Sequence, residues 1–201
     1  MILNHIINTK IFQVFILCPY DKPSYASSAA RLGMNNKYNK KRSELYMKIL
    51  EHVNIYELPN PSANEAICVT TNGIVKQNGE AVMGAGIAKT ANNFLQTNGQ
   101  SLSKQLGSNI KTHGNHVFDF GICQFGYRVI AFPTKNAWWK NSDLNLINQS
   151  ISELIDLCDK QNITKCYLPK PGCANGGLSW ETQVKPLCES RLDDRFTVVS
   201  L

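Results

Sequence analysis

The apolar residues of this chain fall into short runs that alternate with amphipathic stretches and polar, glycine-containing loops. Residues 66–71 (AICVTT) form a run that is apolar on both faces, which is typical of a strand in a sheet covered on both sides. Residues 143–160 carry apolar side chains at helical spacing, and Ser142 or Asp143 can cap the helix that this spacing predicts. The pattern therefore contains both periods, that of a strand and that of a helix.

The remaining segments continue this alternation. We predict an opening strand over residues 47–58, a helix over 84–96, and strands over 116–121, 127–133, 165–169 and 196–200. A short helix is predicted from 179 to 185, and Pro186 prevents it from continuing smoothly unless a new turn starts there. Strands that alternate with helices favour a three-layer α/β domain with a largely parallel sheet.

Two of the strand-to-helix transitions carry glycine-rich loops, at residues 84–86 and 172–177. Glycines let backbone N–H groups crowd around an anion, and a helix that follows directs its positive dipole end at the same point. Such loops gather at the carboxyl ends of the strands in an open α/β sheet. Two facing loops suit a diphosphate better than a single phosphate.

Familiar phosphate-binding motifs are incomplete in the first loop. A Walker loop needs glycines where Met83 and Ala88 stand, and the dinucleotide fingerprint needs a glycine where Lys89 stands. The alternative without a ligand is a glycine turn that only packs a helix onto the sheet.

Charge and cysteine content narrow the classes of function. Residues 1–50 hold eight Lys/Arg and two Asp/Glu, whereas residues 51–201 hold thirteen of each. An anionic ligand of the main body must therefore be held by local dipoles, not by a broad basic face.

Seven cysteines without a CxxC pair predict reduced thiols and a cytoplasmic protein. His113 and His116 have no evident third ligand, so we expect neither a metal nor another cofactor.

The first part of the chain differs from the rest. We expect residues 1–46 to form a basic, poorly ordered extension, followed by one domain over residues 47–201. The apolar run at residues 11–17 is too short to span a bilayer, and we expect no membrane partner. Translation from Met34 or Met47 is an alternative start.

Taken together, four segments carry a resemblance to a known family: VTTNG at 69–73, MGAGIAK at 83–89, PTK at 133–135 and PKPGCANGGLSW at 169–180. Their order and spacing resemble the macro domain, the ADP-ribose-binding fold, over residues 47–201. More narrowly, the chain is similar to the branch that contains the terminal ADP-ribose protein glycohydrolase and the DNA ADP-ribosyl glycohydrolase antitoxins.

This resemblance implies a mixed six-stranded sheet between helices, with ADP-ribose in a cleft above the sheet. Asn72 would lie near the distal ribose, although an Asx turn before Gly73 is an alternative role for it. The ligand contacts implied by the resemblance come from Asn54, Thr71, Gly84, Ala85, Gly86, Ile87, Thr134, Gly172, Cys173, Ala174, Asn175, Gly176 and Gly177.

Lys135 is the residue to which the resemblance assigns chemistry. In the glycohydrolases of this branch a lysine at this position attacks the anomeric carbon of the distal ribose, and partial removal from water makes an amine more nucleophilic. Two positions depart from relatives: Gly176 replaces the aspartate of the protein glycohydrolase, and Asn54 replaces an aspartate that receives the adenine amino group. Cys173 is an alternative nucleophile, although a packing role is favoured.

The resemblance leaves three functions open. The first is a hydrolase that releases ADP-ribose from a modified protein or nucleic acid through Lys135, with Asn72 assisting. The second is a module that only binds ADP-ribose, and the third is a phosphatase acting on ADP-ribose 1″-phosphate. Trp138 or Trp139 is a candidate to stack on adenine or to wall the ribose pocket, with packing or anchoring of the loop as the favoured role of at least one of them. We expect Trp180 to pack the last helix onto the sheet, and we expect a monomer.

Overall fold

The computed structural model describes residues 46–200, and predictions for residues 1–45 lie outside this part of the chain. Its helices and strands alternate as the hydrophobic pattern predicts. They are β1 (Lys48–Leu50), β2 (Glu65–Asn72), α1 (Gly86–Phe94), β3 (Gln96–Thr97), β4 (Gln100–Ser101), α2 (Leu102–His113), β5 (Phe118–Ile122), β6 (Arg128–Lys135), α3 (Leu144–Gln161), β7 (Lys165–Pro169), α4 (Lys185–Glu189) and β8 (Phe196–Val199). A 3₁₀ turn at Ile55–Glu57 and a π-helical turn at Trp180–Val184 complete the set.

Within residues 46–200, six strands form one mixed sheet in the order β1-β8-β7-β2-β6-β5. All neighbouring strands in it are parallel except β5 and β6, which are antiparallel. The short strands β3 and β4 pair separately. The largely parallel α/β sheet expected from the sequence is therefore confirmed.

The sheet is buried on both faces. On β2, Cys68 points into a cluster with α3 and the last helices, whereas Ile67 packs into a cluster with α1, α2 and the 3₁₀ turn. Because alternate residues of a strand face opposite sides, both sets must be apolar, which explains the continuous apolar run of β2. These three layers place the ends of the strands at one edge, where loops can form a site.

Helix α3 and the last helices illustrate how local sequence sets the ends of elements. The Asp143 Oδ1 atom accepts hydrogen bonds from the amides of Asn145 (2.9 Å) and Leu146 (3.4 Å), so Asp143 is the cap of α3. Ser179 caps the π-helical turn by accepting from Thr182 N. The helix before Pro186 does not continue smoothly: the π-helical turn ends at Val184, and a new helix, α4, carries the proline in its first turn, where its missing N–H costs nothing.

The structure differs from the sequence-based expectation in two places. The opening strand expected over residues 47–58 is only three residues long, because the side chain of Asn54 caps the 3₁₀ turn that follows it. Helix α2 was not predicted at all. Its buried face includes Ser103 and Gly107, so it lacks the continuous apolar stripe that marks an amphipathic helix.

No helix between residues 46 and 200 combines the length and the apolar composition needed to cross a membrane. All six cysteines in the same range are free thiols, as expected from their spacing.

Candidate functional site

A cleft of about 700 Å³ opens at the carboxyl ends of β2, β6, β7 and β8. Its walls include both glycine-rich loops, together with Asn72, Thr134 and Lys135 from the strand ends. A volume of this size falls within the range of roughly 300–1,000 Å³ found for pockets that hold small ligands. The two loops that the sequence singled out are thus brought to one site.

The first loop leads directly into α1. Gly86 begins the helix with φ of 55°, a left-handed conformation that favours glycine. Ala85 caps α1 without a side-chain hydrogen bond. The amides of the first turn therefore receive no side-chain cap, and they lie where the helix dipole is positive. This arrangement suits an anion.

The second loop, residues 172–177, is held by its own backbone and by the residue before the cap of α3. The Leu178 amide donates to the Gly172 carbonyl (3.0 Å), and the Ser142 amide donates to the Gly176 carbonyl (2.8 Å). A Cβ atom added at Gly176 would lie 2.2 Å from the Gly172 carbonyl oxygen and 2.3 Å from Ser142 Oγ. Position 176 therefore has no room for a side chain.

Lys135 is the last residue of β6 and is partly buried. Its Nζ atom donates a hydrogen bond to the carbonyl of Asn175 at 2.6 Å, which connects the strand end to the second loop. Its carbonyl accepts hydrogen bonds from Gly73 N (3.2 Å) and Asn115 Nδ2 (2.9 Å). The position of the lysine is thus fixed at both its backbone and its amine.

Asn72 ends β2, next to a break in the β2–β6 register. Its Nδ2 donates to the Val82 carbonyl (2.8 Å), and its Oδ1 accepts from Ile74 N (3.1 Å). With the Val82 amide bonded to the Ile74 carbonyl (2.9 Å), these contacts close loop 73–82 at its base. Asn72 thus forms the turn named as its alternative role, and it keeps one N–H and one acceptor site free for a ligand.

Most of the residues assigned to the site from the sequence line this cleft. They are Thr71, Asn72, Gly84, Ala85, Gly86, Ile87, Thr134, Lys135, Gly172, Cys173, Ala174, Asn175 and Gly176. Asn54 and Gly177 are not among the lining residues. Asn54 is exposed, accepts from Tyr56 N and donates to Glu57 Oε1 (2.8 Å), so local partners occupy its amide. The amide of Gly177 is directed back to the Ala174 carbonyl.

The structure also adds residues that the sequence did not reveal. Val199 and Ser200 at the end of β8 line the cleft, as do Ile55 and Pro169. Thr71 Oγ1 and Ser142 Oγ are buried beside it without a hydrogen-bond partner. The ends of β7 and β8 were predicted as strand ends, so their position in a parallel sheet was the available signal for Pro169 and Val199.

The ionisable groups of the cleft are few. Among the described lining residues the only ones are Lys135, Lys170 and Cys173, and none is a carboxylate or a histidine. Lys170 Nζ forms an ion pair with Glu51 at 2.7 Å. Burial raises the pKa of the Cys173 thiol to about 11, against a smaller opposite effect of Lys170. Cys173 is therefore a neutral thiol at physiological pH, which contradicts its alternative role as a thiolate nucleophile.

The three tryptophans have different surroundings. Trp180 is buried between the sheet and the last helices, and the Lys170 amine lies 5.2 Å from its ring centroid. Trp138 lines the cleft while remaining largely exposed, and Trp139 is exposed outside the lining set. The packing role expected for Trp180 is confirmed.

The histidine pair does not form a metal centre. His116 Nδ1 lies 2.7 Å from Glu153 Oε1, whereas His113 ends α2. Nowhere in residues 46–200 do three or more His, Cys, Asp or Glu side chains come together in a way that could hold a metal ion.

No protein-family model matches the sequence. Two curated relatives, from Mycobacterium bovis and Mycobacterium tuberculosis, carry the name DNA ADP-ribosyl glycohydrolase, and each is 37% identical over 65 residues, or 32% of this chain. The match spans only 18% of each relative's own length.

Solved structures match over more of the chain. The macrodomain of Mycobacterium tuberculosis DarG matches with a TM-score of 0.56 and 26% identity, covering 76% of this chain and 97% of that one. Thermosipho africanus DarTG in complex with ADP-ribose matches with a TM-score of 0.52 and 19% identity, covering 67% of this chain and 37% of that one. This chain therefore has the macrodomain fold, and the resemblance found in its motifs is confirmed.

Proposed function

We propose that this chain binds ADP-ribose in the cleft and hydrolyses the bond that joins ADP-ribose to modified DNA, with Lys135 as the nucleophile. One observation carries the choice of Lys135. Of the ionisable side chains lining the described cleft, Lys170 is paired with Glu51 and Cys173 is neutral. Lys135 is the group left whose nitrogen can present a lone pair to a ligand.

The two loops account for binding. The uncapped first turn of α1 and the backbone of residues 172–176 offer main-chain N–H groups on two walls of one cleft. A diphosphate has oxygens on both sides, so it can accept from both loops while its two ribose units extend toward opposite ends. Because residues 51–201 have balanced charge, backbone dipoles must hold the diphosphate in place of a broad basic face.

The proposed reaction forms one bond and breaks another at C1″ of the distal ribose. The neutral amine of Lys135 attacks C1″ of the distal ribose, the bond from C1″ to the DNA base breaks, and the base leaves with a proton. The sugar ring then opens at the C1″–O4″ bond, O4″ takes the remaining amine proton, and a Schiff base forms between Nζ and C1″. Water adds to C1″ of this Schiff base, the amine leaves, and the ring closes to give free ADP-ribose. The hydrogen bond that Nζ donates to the Asn175 carbonyl at 2.6 Å holds the nitrogen in place for this attack.

DNA is the proposed partner because two relatives are named DNA ADP-ribosyl glycohydrolase. The bound nucleotide is proposed from the ADP-ribose complex of a structural neighbour. The missing acid at position 176, where no side chain fits, is consistent with a leaving group that differs from the carboxylates of modified proteins.

A substrate panel tests this proposal. The full chain is incubated with an ADP-ribosylated single-stranded oligonucleotide, an ADP-ribosylated glutamate peptide and ADP-ribose 1″-phosphate, and free ADP-ribose is measured by chromatography. We expect release from the oligonucleotide, and reduction with borohydride should trap the adduct on the peptide containing Lys135. Binding of ADP-ribose by calorimetry without release from any conjugate would instead establish a binding module. Release from the peptide alone would overturn the choice of DNA.

A further inference from the structure

The loop that joins β6 to α3 carries the two adjacent tryptophans at its tip. The Lys140 amide donates to the Ala137 carbonyl at 3.1 Å, so Trp138 and Trp139 occupy the central positions of a hydrogen-bonded turn. Ala137 is buried, and the far end of the loop is fixed where the Asp143 amide donates to the Thr134 carbonyl (3.0 Å). The turn is therefore anchored on both sides.

The two indole rings are directed away from the core. Trp138 is 58% exposed and Trp139 is 61% exposed. Their centroids lie 5.3 Å apart with the ring planes at 85°, an edge-to-face pair. In such a pair the edge of one ring covers at most one face of the other, so flat aromatic surface remains open. Two neighbouring exposed tryptophans on an anchored turn indicate a contact surface, because single scattered apolar residues are the ordinary case.

The position and charge of this turn favour one kind of occupant. Trp138 lines the cleft proposed to bind ADP-ribose, and Trp139 lies next to it, outside the cleft. The pair therefore lies at the rim, where the DNA attached to the ADP-ribose would leave the cleft. Lys135 and Lys140 flank the pair, and neither forms an ion pair with any residue of the range 46–200. The nearest acid in the sequence, Asp143, accepts hydrogen bonds at the cap of α3. Aromatic faces combined with lysines are the features that bind single-stranded nucleic acid.

We propose that Trp138 and Trp139 form a stacking platform for an unpaired nucleobase of the DNA beside the ADP-ribosylated nucleotide, with Lys140 near its phosphate. This inference rests on the proposed function, since it assigns the macromolecular part of the same substrate. A base in a duplex is stacked on both sides, so the platform selects single-stranded DNA. Because every base has a flat aromatic face, we expect little sequence preference.

The experiment compares two ligands that differ only in the DNA around the modification. They are an ADP-ribosylated nucleoside and a short single-stranded oligonucleotide with the same modified nucleotide at its centre. The full chain is studied as wild type and as Trp139→Ala, Trp139→Phe and Trp139→Leu. Phe94→Ala is the matched control, because Phe94 is 67% exposed at the end of α1 and does not line the cleft.

For Trp139→Ala we expect the Kd and the KM of the oligonucleotide to rise roughly 5- to 150-fold, as alanine substitution of a stacking aromatic does. kcat, and the affinity for free ADP-ribose, should stay unchanged. Trp139→Phe should restore most of the affinity and Trp139→Leu should not, which separates stacking from general apolar contact. Oligonucleotide binding should also quench tryptophan fluorescence in the wild type, and less so in Trp139→Phe.

Equal affinities of wild type, Trp139→Ala and Phe94→Ala for the oligonucleotide would overturn the platform. Two further ligands complete the test: an ADP-ribosylated peptide, and the same oligonucleotide annealed to its complement. A loss of the same size with the peptide, or equal affinity of the wild type for the duplex and the single strand, would also overturn the platform. The affinity measurements need no turnover. If nothing is hydrolysed, the proposed function fails while the difference between the two ligands still decides the inference.

Discussion

The amine of Lys135 and the carbonyl of Asn175 are joined by a 2.6 Å hydrogen bond between the end of β6 and the second glycine loop. The lysine backbone is fixed as well, because its carbonyl accepts from Gly73 N and Asn115 Nδ2. The cleft thus holds its candidate nucleophile in one place before a ligand enters. Orientation of this kind is a main source of catalytic power, since a reacting group then needs no search for its position.

Substitution of Lys135 should separate chemistry from binding. For Lys135→Ala we expect ADP-ribose release to fall by at least about 100-fold, while affinity for ADP-ribose changes by less than about tenfold. Lys135→Arg should be equally inactive, because a guanidinium keeps the positive charge but stays protonated. Initial rates and calorimetry give the two quantities.

Lys104→Ala is the control for that experiment, since Lys104 is exposed on α2 and does not line the cleft. If Lys135→Arg retains wild-type turnover, positive charge at this position is sufficient and the nucleophile lies elsewhere.

The sheet and both glycine-rich loops could be predicted from the sequence, because each has a strong local signal. A run that is apolar on both faces, such as the one around Cys68, fits only a covered strand, and glycine clusters mark the turns. Helix α2 has no comparable signal. At Gly107 a Cβ atom would lie 2.1 Å from the Gly79 carbonyl oxygen, so a close approach of backbones takes the place of an apolar side chain. Such an approach depends on tertiary packing that no local pattern contains.

The site was likewise predictable only in part. The two glycine loops could be located from the pattern alone, because the carboxyl ends of parallel strands meet at one edge of a sheet. The individual contact residues were implied by the resemblance. The resemblance also implied a ligand contact for Asn54, but its amide finds partners in Tyr56 and Glu57. Whether a polar side chain points to a ligand or to its own backbone is decided by turn geometry, which sequence spacing does not fix.

Gly176→Ala should destabilise the protein and weaken ligand binding. The new methyl group would lie within 2.3 Å of the Gly172 carbonyl oxygen and Ser142 Oγ, so the loop must move. We expect a loss of roughly 1–3 kcal/mol in the free energy of unfolding, the usual cost of overpacking. Thermal unfolding and ADP-ribose titration are the measurements.

Gly84→Ala is the matched control, because the nearest atom to its Cβ, Val82 Cγ1, lies at 3.9 Å. It should unfold close to the wild-type temperature. A Gly176→Ala variant as stable as Gly84→Ala would show that the second loop adjusts freely.

Cys173 should be chemically inert near neutral pH. Because burial raises the pKa of Cys173 to about 11, only a small fraction of it is thiolate at physiological pH. This fraction increases as the pH rises toward that value. We expect alkylation of the Cys173 peptide, followed by mass spectrometry, to be much slower than that of free cysteine, whose pKa is about 8.5. Cys173→Ser should keep its turnover within about threefold. Rapid alkylation of Cys173, together with loss of turnover in Cys173→Ser, would instead assign the thiol a part in the reaction.

Glu153 should contribute to stability above acidic pH. Burial by itself would raise its pKa, but hydrogen bonds from Gln149, the Val117 amide and His116 outweigh burial and lower it. A carboxyl whose pKa is lower in the folded state stabilises the protein above its unfolded pKa of about 4.3, and this contribution disappears as pH falls through the folded value.

Urea unfolding of wild type and Glu153→Gln across this range tests that expectation. The difference in unfolding free energy should be largest above about pH 5 and shrink in more acidic solution. Glu189→Gln serves as the exposed control on α4. A difference between wild type and Glu153→Gln that is independent of pH would assign the effect to packing alone.

Loop 73–82 is closed at its neck, because Asn72 holds both Ile74 and Val82 and the Val82 amide returns to Ile74. Its outermost residues, 76–78, are exposed. The part of the loop beyond Gly79, which packs against α2, is an exposed tip, and exposed loop tips generally tolerate insertion. Residues 77–78 are therefore a suitable place to insert an affinity tag or a fluorescent reporter, leaving the neighbouring strand end and its lysine undisturbed.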